Sequence, residues 1–65
     1  MNENPMRYVL QVGNTVVPIF LQYHNTAPRG WSVTSEENPD LHVEGRSHVA
    51  EAINDFKNLW MRGKT

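Results

Sequence analysis

His42, Glu44 and His48 come nearest, by type and spacing, to residues that could do chemistry. Two imidazoles and one carboxylate are a common ligand set for a divalent transition metal, and Asp40 would supply a further oxygen. On an extended chain Asp40, His42 and Glu44 fall on the same side, because alternate side chains share a face. A turn at Gly45, a helix cap at Ser47 and a solvated surface nevertheless account for the whole stretch, so no metal is assigned to it. Glu36 and Glu37 are sequence neighbours, and on an extended segment their carboxylates point apart instead of converging on one bond. There is no cysteine, and no serine sits in a nucleophile turn. Gln11-Val-Gly-Asn-Thr15 has one glycine, too few for a phosphate-cradling loop. The residues therefore imply no catalytic group and no cofactor, and the chain is expected not to be an enzyme.

The elements that would position these side chains are legible from the hydrophobic pattern. Met6, Tyr8, Leu10 and Val12 alternate with Arg7, Val9 and Gln11, and after Gly13-Asn14 the alternation resumes as Val17, Ile19, Leu21 and Tyr23. A two-residue turn at Gly13-Asn14 pairs Val12 with Thr15, Leu10 with Val17, Tyr8 with Ile19 and Met6 with Leu21, which gathers the apolar side chains on one face. Pro18 then falls opposite Val9, where a bulge or an open edge is expected because proline cannot donate to a ladder. The reverse face carries Val9, Val16, Pro18 and Phe20, more apolar than solvation alone needs, which local β-propensity by itself would explain and which otherwise points to a dimer or second partner contact.

Residues 24–30 are rich in turn formers, and Trp31-Ser-Val-Thr-Ser35 alternates again. Asn38-Pro39-Asp40 is a further turn, after which Leu41 and Val43 face inward and His42 and Glu44 outward, with Gly45 ending the strand. Ser47 reads as the cap of a helix whose apolar residues Val49, Ala52, Ile53, Phe56, Leu59 and Trp60 recur every three or four positions until Gly63. The expected fold is α+β, an antiparallel meander sheet of three to four strands covered by one C-terminal amphipathic helix, in the order ββββα. Its limits are a polar arm at 1–5, a single domain at 6–63 and a short tail at 64–65.

Sixty-five residues at 38% hydrophobic content allow one thin core. A chain this short buries only about 60% of its unfolded surface, so a partner or a second copy would add useful burial. No apolar run approaches a membrane span, and the N-terminal Met1-Asn-Glu-Asn-Pro5 lacks the basic and apolar regions of a signal peptide, which together predict a cytoplasmic protein. The net charge of −1 is unevenly spread: Ser35 to Asp55 holds six acids against Arg46 alone, a local −5. Such a stretch repels nucleic acid and attracts a basic protein, acting on orientation and encounter more than on affinity.

The segment Gly30-Trp-Ser-Val-Thr-Ser-Glu-Glu-Asn-Pro-Asp-Leu-His-Val-Glu-Gly-Arg-Ser-His-Val-Ala-Glu-Ala-Ile53 resembles the HicB-like antitoxin domain, closest over Glu36 to Gly45, and Met6-Arg-Tyr-Val-Leu10 looks like the way such domains begin. In that pattern a Gly-aromatic strand runs into an acidic-proline turn, a short strand, Glu-Gly and a capped helix. The strand at 15–23 is additional to it, and Asp40 stands where the family commonly has glycine. The resemblance implies a partial RNase H-like βββα fold that masks the RNA-cutting surface of a small basic toxin ribonuclease. It also implies a domain without the C-terminal DNA-binding domain of many such antitoxins.

Glu36, Glu37, Asp40, His42 and Glu44 would then contact the basic partner, without direct nucleic-acid binding. The same acidic charge fits a phage or mobile-element inhibitor of a host nucleic-acid machine, such as an anti-CRISPR or RNA polymerase inhibitor. A metal-dependent protein using His42, Glu44 and His48, and a homodimerisation module using Val9, Val16, Pro18 and Phe20, are the readings from other classes.

Overall fold

The computed structural model describes residues 5–63. They form strands β1 (Met6–Val12), β2 (Thr15–His24), β3 (Gly30–Ser35) and β4 (His42–Arg46), followed by helix α1 (Val49–Arg62). The strands make one antiparallel sheet in the spatial order β1-β2-β3-β4. This is the expected ββββα meander. The tail at 64–65 and all but Pro5 of the arm lie outside the described residues.

Strands β1 and β2 pair in the register that the apolar pattern dictates, with Met6 opposite Leu21, Tyr8 opposite Ile19, Leu10 opposite Val17 and Val12 opposite Thr15. A one-residue slip would turn every core side chain to the other face, so this register is strongly specified. Pro18 sits opposite Val9, but the pairing runs through it without interruption and β2 is an interior strand. The bulge or open edge expected there does not occur. The carbonyl of Pro18 accepts from the amide of Glu36 at 3.0 Å, which shows that its backbone faces β3 at the place where β3 ends at Ser35. The missing N–H therefore leaves the β1–β2 ladder intact and forgoes only a return bond to Glu36, just past the end of β3.

The irregularity lies instead between β3 and β4. Trp31 pairs with Arg46 and Val33 with Val43, so the segment from Val43 to Arg46 is one residue longer than its partner. Gly45 supplies the left-handed backbone that such a bulge needs, at φ 73°. It does not end the strand, as its residue type suggested, but bends β4 and carries it on to Arg46. Across the ladder Gly30 adopts φ 125°, and a Cβ there would lie 2.4 Å from the carbonyl oxygen of Arg46. Only glycine lets β3 and β4 approach so closely at this end.

One face of the sheet packs against α1. Leu10, Val17, Ile19, Leu21, Val33 and Val43 meet Ala52 and Phe56 in a single buried cluster, with Ile19, Val33 and Phe56 its largest fully enclosed side chains. Trp31, Val49, Ile53, Leu59 and Trp60 pack half-buried around them. The helix lies over β3 and β4. Beyond its reach, the inward-facing Met6 and Tyr8 of β1 remain 61% and 45% exposed, so the uniform apolar face of the hairpin is only partly covered. Tyr23 is shielded on one side by an edge-to-face contact with Trp31 at 5.4 Å.

The helix begins one residue later than its sequence suggested. His48, in extended conformation, is the N-cap and makes no side-chain capping bond, while its carbonyl accepts from the amide of Ala52 at 3.0 Å. Ser47 is thus not the cap. Gly63 closes the helix with φ −74°, a right-handed value open to any residue, and donates its amide to Leu59 at 3.2 Å. Among the described residues no helix is long and apolar enough to cross a membrane.

Candidate functional site

Glu36, Glu37 and Asp40 sit on the β3–β4 connection and Glu44 on β4, and the connection is a hydrogen-bonded loop. Ser35 donates its amide to the carbonyl of Leu41 at 3.0 Å, closing the loop at its base. The Ser35 hydroxyl accepts from the amide of Asn38 at 3.1 Å. Asn38 then starts a turn in which its carbonyl accepts from Leu41 at 2.9 Å and its side-chain oxygen accepts from Asp40 at 3.4 Å. Pro39 occupies the second position of that turn, where its fixed φ is pre-set for the bend. Asn-Pro-Asp is therefore a structural clasp that holds Glu36, Glu37 and Asp40 on its rim.

The carboxylates themselves are not equivalent. Glu36 accepts from Arg7 Nε at 2.8 Å, an ion pair that spans from β1 past β2 to the end of β3. Glu44 accepts from His42 Nε2 at 2.8 Å, and His42 Nδ1 lies 2.6 Å from the Thr34 hydroxyl on the adjacent strand. A carboxylate can only accept, so His42 donates to Glu44 through Nε2, while Nδ1 bonds the Thr34 hydroxyl. Asp55, further along, accepts from Arg46 Nε at 2.6 Å. Half of the six acids between Ser35 and Asp55 are thus internally engaged. Glu37 and Asp40 are exposed and, among the described residues, pair with no cation.

Asp40 does not share a strand face with His42 and Glu44, because it belongs to the turn that precedes β4. His42 and Glu44 do share one. His48 stands at the helix start, beyond the bulge, and among the described residues no group of three or more His, Asp or Glu side chains is arranged to hold a metal. The outer face of the hairpin brings Val9 beside Pro18 and places Val16 and Phe20 on neighbouring rungs, with Val9 and Val16 the most exposed.

Other polar contacts were not anticipated from the chain. Ser32 is buried on the outer face, donates to the carbonyl of Gln22 at 3.4 Å and bonds His24 Nε2 at 2.9 Å. Arg46 reaches α1 because the bulge at Gly45 rotates it from the outer to the helix side of β4. A glycine within an alternating strand is the one sequence signal that points to such a rotation. Beneath Arg46 a groove of about 350 Å³ runs between β4 and α1, lined by His42, Val43, Asp55, Asn58, Leu59 and Arg62.

No protein-family model, no curated protein and no solved structure matches this chain.

Proposed function

We propose that the protein is a non-enzymatic binding protein of the HicB-like antitoxin type, which masks the basic RNA-cutting surface of a small toxin ribonuclease. The observation that carries this reading is the pair Glu37 and Asp40, two exposed carboxylates held on a hydrogen-bonded loop with no cation beside them among the described residues. A pre-ordered acidic rim loses little conformational entropy on binding and steers a basic partner into register. Glu44, tied to His42 on the adjoining strand, extends the negative surface, while Glu36 is shared with Arg7 and contributes less. With the additional strand β2 set aside, the order β1, β3, β4, α1 also has the three-strand-plus-helix sequence that the resemblance implies.

The test is capture from native lysate on the untagged protein at low and moderate salt, followed by mass spectrometry and by titration of the retained partner. A single small basic nuclease, lost as salt rises, is the expected product. The triple variant Glu37→Gln, Asp40→Asn, Glu44→Gln should bind it at least about tenfold more weakly and with a shallower salt dependence. Recovery of a large nucleoprotein complex would replace this reading with that of an inhibitor of a host nucleic-acid machine. Unchanged affinity and salt dependence in the triple variant would remove the acidic rim from the contact.

A further inference from the structure

The two edges of the sheet are built differently. Edge strand β4 is five residues long, carries the Gly45 bulge, bears His42, Glu44 and Arg46, and is flanked by α1. Short length, a bulge and charge are the usual means by which an edge avoids pairing with another chain. Edge strand β1 has neither the short length nor the bulge, and its single charge is paired within the sheet. It is seven residues long, pairs regularly along its whole length and has one charged residue, Arg7, whose guanidinium is drawn inward across β2 to Glu36. The helix lies over the opposite half of the sheet, so nothing of α1 obstructs an approach to β1.

The backbone groups on that edge follow from the register. Val12 and Thr15 flank a two-residue turn and so form a hydrogen-bonded pair, and along an antiparallel ladder such pairs alternate with non-bonded ones. Arg7, Val9 and Gln11 are therefore the residues whose N–H and C=O point away from β2. The bond from Glu36 to the Pro18 carbonyl agrees, since Pro18 and Val9 face each other and Pro18 directs its backbone to β3.

We infer that β1 pairs with β1 of a second copy, antiparallel about a two-fold axis at Val9, to give one continuous eight-stranded sheet. This register alone uses the full strand. It sets Val9 against Val9, Arg7 against Gln11 and Gln11 against Arg7 of the second copy, each exchanging two backbone bonds, about six in all. Between them Tyr8 meets Leu10 and Met6 meets Val12 on the helix side, where Tyr8 and Met6 now stand exposed. Moving the axis to Arg7 would oppose two guanidinium groups. The chosen register opposes no like charges, and its self-complementarity is what an isologous interface requires. The inference does not depend on the antitoxin reading.

An interface of one strand edge is small, so the association should depend on concentration. Sedimentation equilibrium from about 10 µM to about 1 mM should show the mass rising from 7.5 kDa toward twice that value. Val9→Lys places two ammonium groups on the axis and should hold the protein monomeric. Val16→Lys is the control, because Val16 lies on the same face at 60% exposure but on the interior strand β2, and it should leave the dimer intact. The amides of Val9 and Gln11 in the unmodified protein should exchange more slowly as concentration rises, a readout that does not rely on either variant folding. A mass fixed at 7.5 kDa throughout, concentration-independent exchange at Val9 and Gln11, or dissociation by Val16→Lys and not by Val9→Lys would each overturn the inference.

Discussion

Arg46 at the end of β4 donates through Nε to Asp55 on α1 at 2.6 Å, and its Nη1 donates to the carbonyl of Glu44 at 2.6 Å. One guanidinium thus joins the bulge, the last strand and the helix. Both members of the ion pair are about one-third exposed, which places the interaction between a surface bridge and a buried one. A single charged bond in that setting stabilises by about 1 kcal/mol.

Arg46→Ala and Asp55→Ala should each lower stability, and the double variant should be less destabilised than their sum by about 1 kcal/mol. Urea denaturation of the four proteins measures this coupling. Strict additivity would mean that the pair forms without holding the helix in place.

Replacing glycine on the two facing strands should have unequal effects. Gly45→Ala forces a left-handed alanine, costing about 1–2 kcal/mol, but its Cβ meets only Pro28 at 3.7 Å. Gly30→Ala adds a clash with the Arg46 carbonyl to an unfavourable φ and should cost more than Gly45→Ala. Thermal unfolding of both variants gives the order. Equal losses would show that β3 and β4 can separate at that end without penalty.

Phe56 is fully enclosed at the centre of the cluster, where Phe56→Ala should cost about 3–5 kcal/mol. A domain this small has a total stability of similar size, so the variant is expected to lose cooperative unfolding and near-ultraviolet circular dichroism. Met61→Ala, at a residue 55% exposed one position past Trp60, should change stability by less than about 0.5 kcal/mol. A near-native Phe56→Ala would place the core elsewhere.

The Ser35 hydroxyl is buried and accepts the Asn38 amide that starts the acidic loop. Ser35→Ala should leave that donor unsatisfied, destabilise the domain by about 1 kcal/mol and speed amide exchange from Asn38 to Leu41. If exchange in the loop is unchanged, the clasp is maintained by its backbone bonds and the turn at Pro39 alone.

Much of this architecture was legible before folding, for particular reasons. The alternation on both sides of Gly13-Asn14 leaves one register that gathers Leu10, Val17, Ile19 and Leu21 on a face, and β1 and β2 adopt it. The spacing from Val49 to Trp60 permits only a helix with that apolar stripe, and Asn38-Pro39-Asp40 encodes its turn through local side-chain bonds and a fixed φ. These features depend on contacts between near neighbours or on a period, and both are written along the chain. Asp40, His42 and Glu44 were grouped by the same periodic logic, which failed where the strand began later than Leu41.

The remainder was decided in three dimensions. Which carboxylates are neutralised depends on strands far apart in sequence, since Arg7 finds Glu36 only when β1, β2 and β3 lie side by side. The bulge at Gly45 turns Arg46 toward Asp55, a consequence of the one-residue mismatch between β3 and β4 that neither strand reveals alone. The helix packs over β3 and β4, with Phe56 at the centre of the cluster, and so does not cover the β1 edge. Periodicity told this chain which faces to bury. Packing chose which charges would be paired and which edge α1 would leave uncovered, because both depend on distances between elements that no local pattern contains.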